Sequence, residues 1–158
     1  MSASQIALSE SDFQRIKSVL RAMQQELDSE LVLLIHRSGQ QIASDGPAVD
    51  LDLTSLSSLS AASLAATDGL AQIVGEKEFS VLFQQGRRRS IHISSLDNQF
   101  CLVLLFGERV SPGLVRWKVK KASGGLAQML QEHQRKTGSG DSNSRMFTDD
   151  EIEKLFGQ

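Results

Sequence analysis

Three histidines, a single cysteine and an arginine triplet are the residues of this 158-residue chain best suited to chemistry. His36 and His92 fall in strand-like stretches and His133 in a helix-like one, with no H-x-x-x-H or C-x-x-C spacing to gather a metal. Ordinary structural or surface roles account for them. Cys101 lies in the most hydrophobic run of the chain, so it reads as a small buried hydrophobe and not as a thiolate nucleophile. Arg87-Arg88-Arg89 is the sharpest charge cluster. It suits an arginine finger, a phosphate clamp or the solvated end of a hairpin, and the last is the plainest reading. Neither G-x-x-x-x-G-K-S/T nor G-x-G-x-x-G occurs, and Gly124-Gly125 sits inside a predicted helix. No catalytic residue, cofactor or metal site is therefore expected. Arg116, Lys118, Lys120 and Lys121 form a basic run whose one interleaved aromatic is Trp117, a weak argument for nucleic acid.

Composition points the same way. A net charge of −2 and a pI near 5.9 provide no general attraction to nucleic acid or anionic membranes, so function must come from local surfaces. The start, MSASQIALSES, lacks the features of a signal peptide, and the longest apolar run, Phe100–Phe106, is far too short to span a bilayer. A cytoplasmic protein without a membrane span is expected. With 40% hydrophobic residues the chain can bury one core.

The elements that position these residues follow from periodicity. Ser9 is an N-cap, with Leu8 and Phe13 as a hydrophobic staple, for a first helix carrying Phe13, Ile16, Leu20, Met23 and Leu27 to about Asp28. Leu31–Ile35 and Gln40–Ala43 form a hairpin around Ser38-Gly39. A long helix, capped by Asp52 or Thr54, ends at Gly75. Period-two stretches then place strands from Phe79 to Phe83 and around Ile91–Ile93, before the apolar strand Phe100–Phe106. Ser111-Pro112 opens a last helix marked by Leu114, Trp117, Leu126, Met129 and Leu130. Alternating Val115, Trp117 and Val119 leave open a strand continuation there. The order α-β-β-α-β-β-β-α describes an α+β domain, a five-stranded antiparallel sheet with the second helix on one face and the first and third on the other. The folded domain is assigned to residues 1–136, a polar flexible linker to 137–147 and an acidic amphipathic tail to 148–158.

The long helix is unusual. Leu56, Leu59, Ala66, Leu70 and Ile73 recur at gaps of three and four and predict the core face. Ser58, Ala62, Ala65, Gly69 and Gln72 follow the same spacing on another face, and all but Gln72 are small. Between Thr54 and Gly75 the only charge is Asp68, whereas a solvated helix face normally carries several. That second face is expected to be covered, by a subunit or partner or by the interior of the domain itself.

The segment DLTSLSSLSAASLAATDGLAQIVGEKEF, the later LVLLFGERVSPGLVRWKVKKAS and the tail FTDDEIEKLFGQ together resemble the MglB-type branch of the roadblock/dynein light chain family, over nearly the whole chain. The resemblance implies a roadblock fold, a homodimer built on the second helix and the adjacent edge strand, and a partner that is a Ras-like small GTPase of the MglA type, with other polarity proteins as further partners. It implies stimulation of GTP hydrolysis without an arginine finger, in control of bacterial polarity or motility, by a protein concentrated at a cell pole. A non-catalytic roadblock adaptor is the alternative it also allows. The GTPase surface it implies comprises Ser58, Ala61, Ala62, Ala65, Asp68, Gly69 and Gln72, with Thr67 and Asp68 departing from the small-residue pattern. Ile152, Leu155 and Phe156 share one helical face of the tail and would form a second contact with the GTPase.

Overall fold

A computed structural model describes residues 8–139 apart from residue 49, and side chains as far as residue 134. The element order is α1 (Glu10–Leu27), β1 (Leu31–His36), β2 (Gln41–Asp45), α2 (Leu53–Val74), β3 (Val81–Gln85), β4 (Arg89–Leu96), β5 (Phe100–Gly107) and α3 (Pro112–Ser139). The strands pair antiparallel in the order β2-β1-β5-β4-β3. This is the predicted α+β roadblock architecture.

Local chemistry explains the boundaries. The Ser9 hydroxyl accepts from the Asp12 amide at 3.1 Å, and the Asp52 carboxylate accepts from the Ser55 amide at 3.1 Å, each satisfying a donor that the helix leaves free. Gly75 closes α2 in the left-handed conformation, φ 83°, its amide directed back to the last turn. The Ser111 hydroxyl caps α3 through the Leu114 amide, so the stretch from Val115 to Val119 is helix and not strand. Two ends move: β3 begins at Val81, leaving Phe79 exposed before it, and α3 continues to Ser139, past residue 137 where the linker was expected to begin.

Each sheet face has its own core. On one, α1 and α3 bury Ile16, Leu20, Met23, Leu27, Val115, Val119, Leu126 and Leu130 against Val32, Leu34, Leu102 and Leu104. The inward positions at the start of α3 are thus Val115 and Val119, while Leu114 and Trp117 face outward. Trp117 instead lies under the ammonium groups of Lys118 and Lys121, 5.5 and 4.9 Å from its ring centre. On the other face, α2 covers Leu31, Leu33, Ile35, Val103 and Leu105.

Here the expected core stripe is wrong. α2 buries Ser57, Ser60, Ala61, Leu64, Thr67 and Ala71, while Leu59, Leu70 and Ile73 are 66%, 58% and 81% exposed and Ala66 is exposed as well. Leu56 alone of the predicted stripe packs against the sheet core, and only in part. The sheet already presents a layer of Leu, Ile and Val side chains, and small residues beneath α2 let the helix settle close to it. Bulky side chains are displaced to the outside.

Candidate functional site

The chain crosses from edge strand β2 to the opposite edge strand β3 through α2, so this helix lies over the sheet with its outer side free. Successive helical residues turn by about 100°. Opposite Leu64 the outer surface therefore runs from Leu70, Leu59 and Ala66 through Ile73 and Ala62 to Gly69, Ser58, Ala65 and Gln72, all exposed. Its leucine flank faces β3. An open groove of about 570 Å³ separates Leu51, Leu56 and Leu59 from Gln84, Gln85 and Ile91 of the β3–β4 hairpin. The small-residue flank faces the β1–β2 turn, where a Cβ on Gly39, φ 97°, would come within 3.3 Å of Ser58 Cα. Only glycine permits that approach.

Of the predicted GTPase-facing residues, Ser58, Ala62, Ala65, Gly69 and Gln72 come together on the outer surface. Ala61 does not. It is 8% exposed and packs towards the sheet, because it stands about 60° from Leu64 around the helix. Asp68 is at the border, its carboxylate 2.5 Å from Arg37 Nη1 in the β1–β2 turn. This bond holds the Arg37 guanidinium above its ordinary pKa. The one charge of the helix is thus paired, and the outer surface is uncharged. A Cβ added at Gly69 meets nothing within 4 Å, so the domain's own packing does not require a glycine there. Ile152, Leu155 and Phe156 lie outside the described residues.

The residues with chemical potential are dispersed. His36 packs edge-on to Phe100, His92 is buried in β4, and His133 Nδ1 lies 3.5 Å from Asp12. Among the described residues no group of three His, Cys, Asp or Glu could hold a metal, and no helix is long and apolar enough to cross a membrane. Cys101 is fully buried, and burial pushes its thiol up to about 11, far from thiolate chemistry at neutral pH. Arg87–Arg89 are exposed at the β3–β4 hairpin end, with Arg89 3.0 Å from Glu30.

MglB of Myxococcus xanthus superimposes with a TM-score of 0.76 at 34% identity, over 81% of this chain and 96% of that one. The chain belongs to the MglB family of roadblock proteins. The gliding protein MglB of Thermus thermophilus is 29% identical with a TM-score of 0.76, over 84% of this chain and 99% of its own. A structure described as MglB with tetrameric arrangement is 28% identical with a TM-score of 0.77, over the same shares of 84% and 99%. No family model matches the sequence, and no curated protein matches it. For this MglB-family member, the signal that sequence reasoning misread was the leucine stripe of α2. Its gaps of three and four were correct for a helical face, but period alone does not say which face meets the sheet.

Proposed function

We propose that this MglB-family protein is a homodimeric regulator of a Ras-like small GTPase of the MglA type, stimulating GTP hydrolysis in bacterial polarity or motility control. The observation that carries the reading is the outer surface of α2, uncharged and apolar along one flank, with Leu59, Leu70 and Ile73 more than half exposed. Contiguous apolar surface of this kind on a soluble protein marks an interaction site. The leucine flank faces β3, a sheet edge with free backbone groups over Val81–Gln85. A second copy that extends the sheet through β3 brings its own leucine flank against this one. The tetrameric arrangement of an MglB relative supports self-association in the family.

The small flank, Ser58, Ala62, Ala65, Gly69 and Gln72, then receives the GTPase, its low profile admitting close approach to its switch region. Arg87–Arg89 are not needed as an arginine finger, since the hairpin end accounts for them and Arg89 is engaged with Glu30. The GTPase supplies its own catalytic groups. The tail residues Ile152, Leu155 and Phe156 provide a second, tethered contact on the same partner.

Single-turnover GTP hydrolysis by an MglA-type GTPase, with and without this protein, tests the proposal. Acceleration is expected. Binding with an unchanged rate would make the protein an adaptor, and no binding would refute both readings.

A further inference from the structure

A second cavity lies on the opposite face of the sheet from α2. It measures about 380 Å³, between the β3–β4 hairpin and the first half of α3, within the size range of small-molecule sites. His92, Ser94 and Ser95 of β4 line it from the sheet, and Arg116 and Lys120 from the helix. His92 is 2% exposed, yet no other residue pairs with its Nδ1 or Nε2, and the hydroxyl of Ser94, on the same face of the strand, also lacks a partner. Buried polar atoms are nearly always paired, so a cluster of orphans around one cavity signals a missing partner. Arg116 and Lys120 stand one helical turn apart, exposed at the mouth, and neither joins any ion pair found among the described residues.

The chemistry of the lining specifies its occupant. Burial first, and the positive charge of Arg116 second, hold His92 down to about 4, so at neutral pH its ring offers one N–H donor and one acceptor. The Ser94 hydroxyl adds a donor at a similar depth. Val81 and Val119 supply apolar wall. Donors within and two cations at the mouth match an oxygen-rich anion, and the volume leaves room for a small carbon skeleton beside it.

We propose that this cavity binds a small oxyanion-bearing ligand, its phosphate or carboxylate held by Arg116 and Lys120 and taking hydrogen bonds from His92 and Ser94. The site is independent of the α2 surface and of the GTPase reading.

The test is NMR observation of the His92 ring in the full chain during titration with glycerol 3-phosphate, inorganic phosphate, acetate or, at matched ionic strength, chloride. A saturable shift of His92 with at least one of the first three is expected, with chloride inert. Arg116→Ala/Lys120→Ala should weaken that response at least tenfold, and because both side chains are exposed the variant should keep its circular dichroism spectrum. Co-sedimentation with phosphatidic acid vesicles identifies the source: binding lost in the double variant assigns the oxyanion to a headgroup, and a response to soluble probes alone assigns it to a free metabolite. No saturable His92 response to any probe and no variant-sensitive vesicle binding would overturn the proposal, leaving a cavity filled by water. An equal response in the double variant, or shifts confined to residues at the mouth, would reduce it to adventitious ion pairing.

Discussion

Arg37 Nη1 and Asp68 Oδ2 meet at 2.5 Å, joining the β1–β2 turn to the penultimate turn of α2. Both side chains are about a third exposed, at 27% and 32%, so the pair is partly shielded from solvent. It neutralises the one charge of α2 and anchors the helix on the side away from the leucine flank.

Asp68→Ala should therefore lower stability by about 1 kcal/mol, a little above a fully exposed ion pair because it also strands a guanidinium whose Nε already lacks a partner. The melting temperature should fall by a few degrees, and less in 1 M salt. A double-mutant cycle with Arg37→Ala isolates the coupling. Zero coupling would mean that the helix is held by packing alone.

The inverted packing of α2 separates two leucines that look alike in sequence. Leu64 is 1% exposed, and Leu64→Ala should cost about 2–5 kcal/mol through lost burial and a residual cavity. Leu59→Ala and Ile73→Ala should cost under about 0.5 kcal/mol in the dissociated chain. Urea denaturation at high dilution makes the comparison. In concentrated solution, Leu59→Glu/Ile73→Glu should halve the mass seen by light scattering; an unchanged mass would place the subunit seam elsewhere.

Ala65→Arg/Gly69→Arg probes the proposed GTPase surface. The fold should survive, since both positions are exposed and a side chain at Gly69 enters open space. Affinity for the GTPase should drop at least about 100-fold, the scale of burying unpaired charge in an interface. Isothermal titration with the GTPase and circular dichroism of the variant read the two effects. Full binding by a folded variant would move the contact to another surface.

His92 imposes a pH dependence on stability. Its folded pKa of about 4 lies below the ordinary 6.5, mainly through burial, so between these values the unfolded chain binds more protons than the folded one. Stability should rise with pH from about 4 to 6.5, and be lost as pH falls through that window. His92→Leu should flatten this part of the stability profile measured by thermal unfolding. An equally steep profile in the variant would assign the dependence to carboxylates.

Much of the architecture was legible residue by residue. The caps at Ser9, Asp52 and Ser111, the glycine stop at Gly75 and the two-residue alternation of β4 are local devices, and local devices act on the backbone within a turn or two. That the face Ser58, Ala62, Ala65, Gly69 and Gln72 must be covered by something was equally legible, because a helix with a single charge announces such a surface; that it lies outside the domain and not within it was not. Ala61 was misplaced for the same reason that Leu59, Leu70 and Ile73 were. Small and large apolar residues alternate all around α2, and hydrophobic period cannot choose between two apolar faces.

By itself, then, the sequence determined the order of elements, most of their ends and the family, all of which depend on short-range chemistry and on motifs of fixed spacing. The tertiary structure decided which side of α2 meets the sheet. Leu31, Leu33, Ile35, Val103 and Leu105, contributed by β1 and β5 far apart in the chain, fill the layer below the helix and leave room only for Ser57, Ser60, Ala61, Thr67 and Ala71 around Leu64. It also decided the surroundings of His92, which come from β3 and α3 as well as its own strand. Both are matters of volume and distance between residues remote in sequence, and only the folded chain brings those residues together.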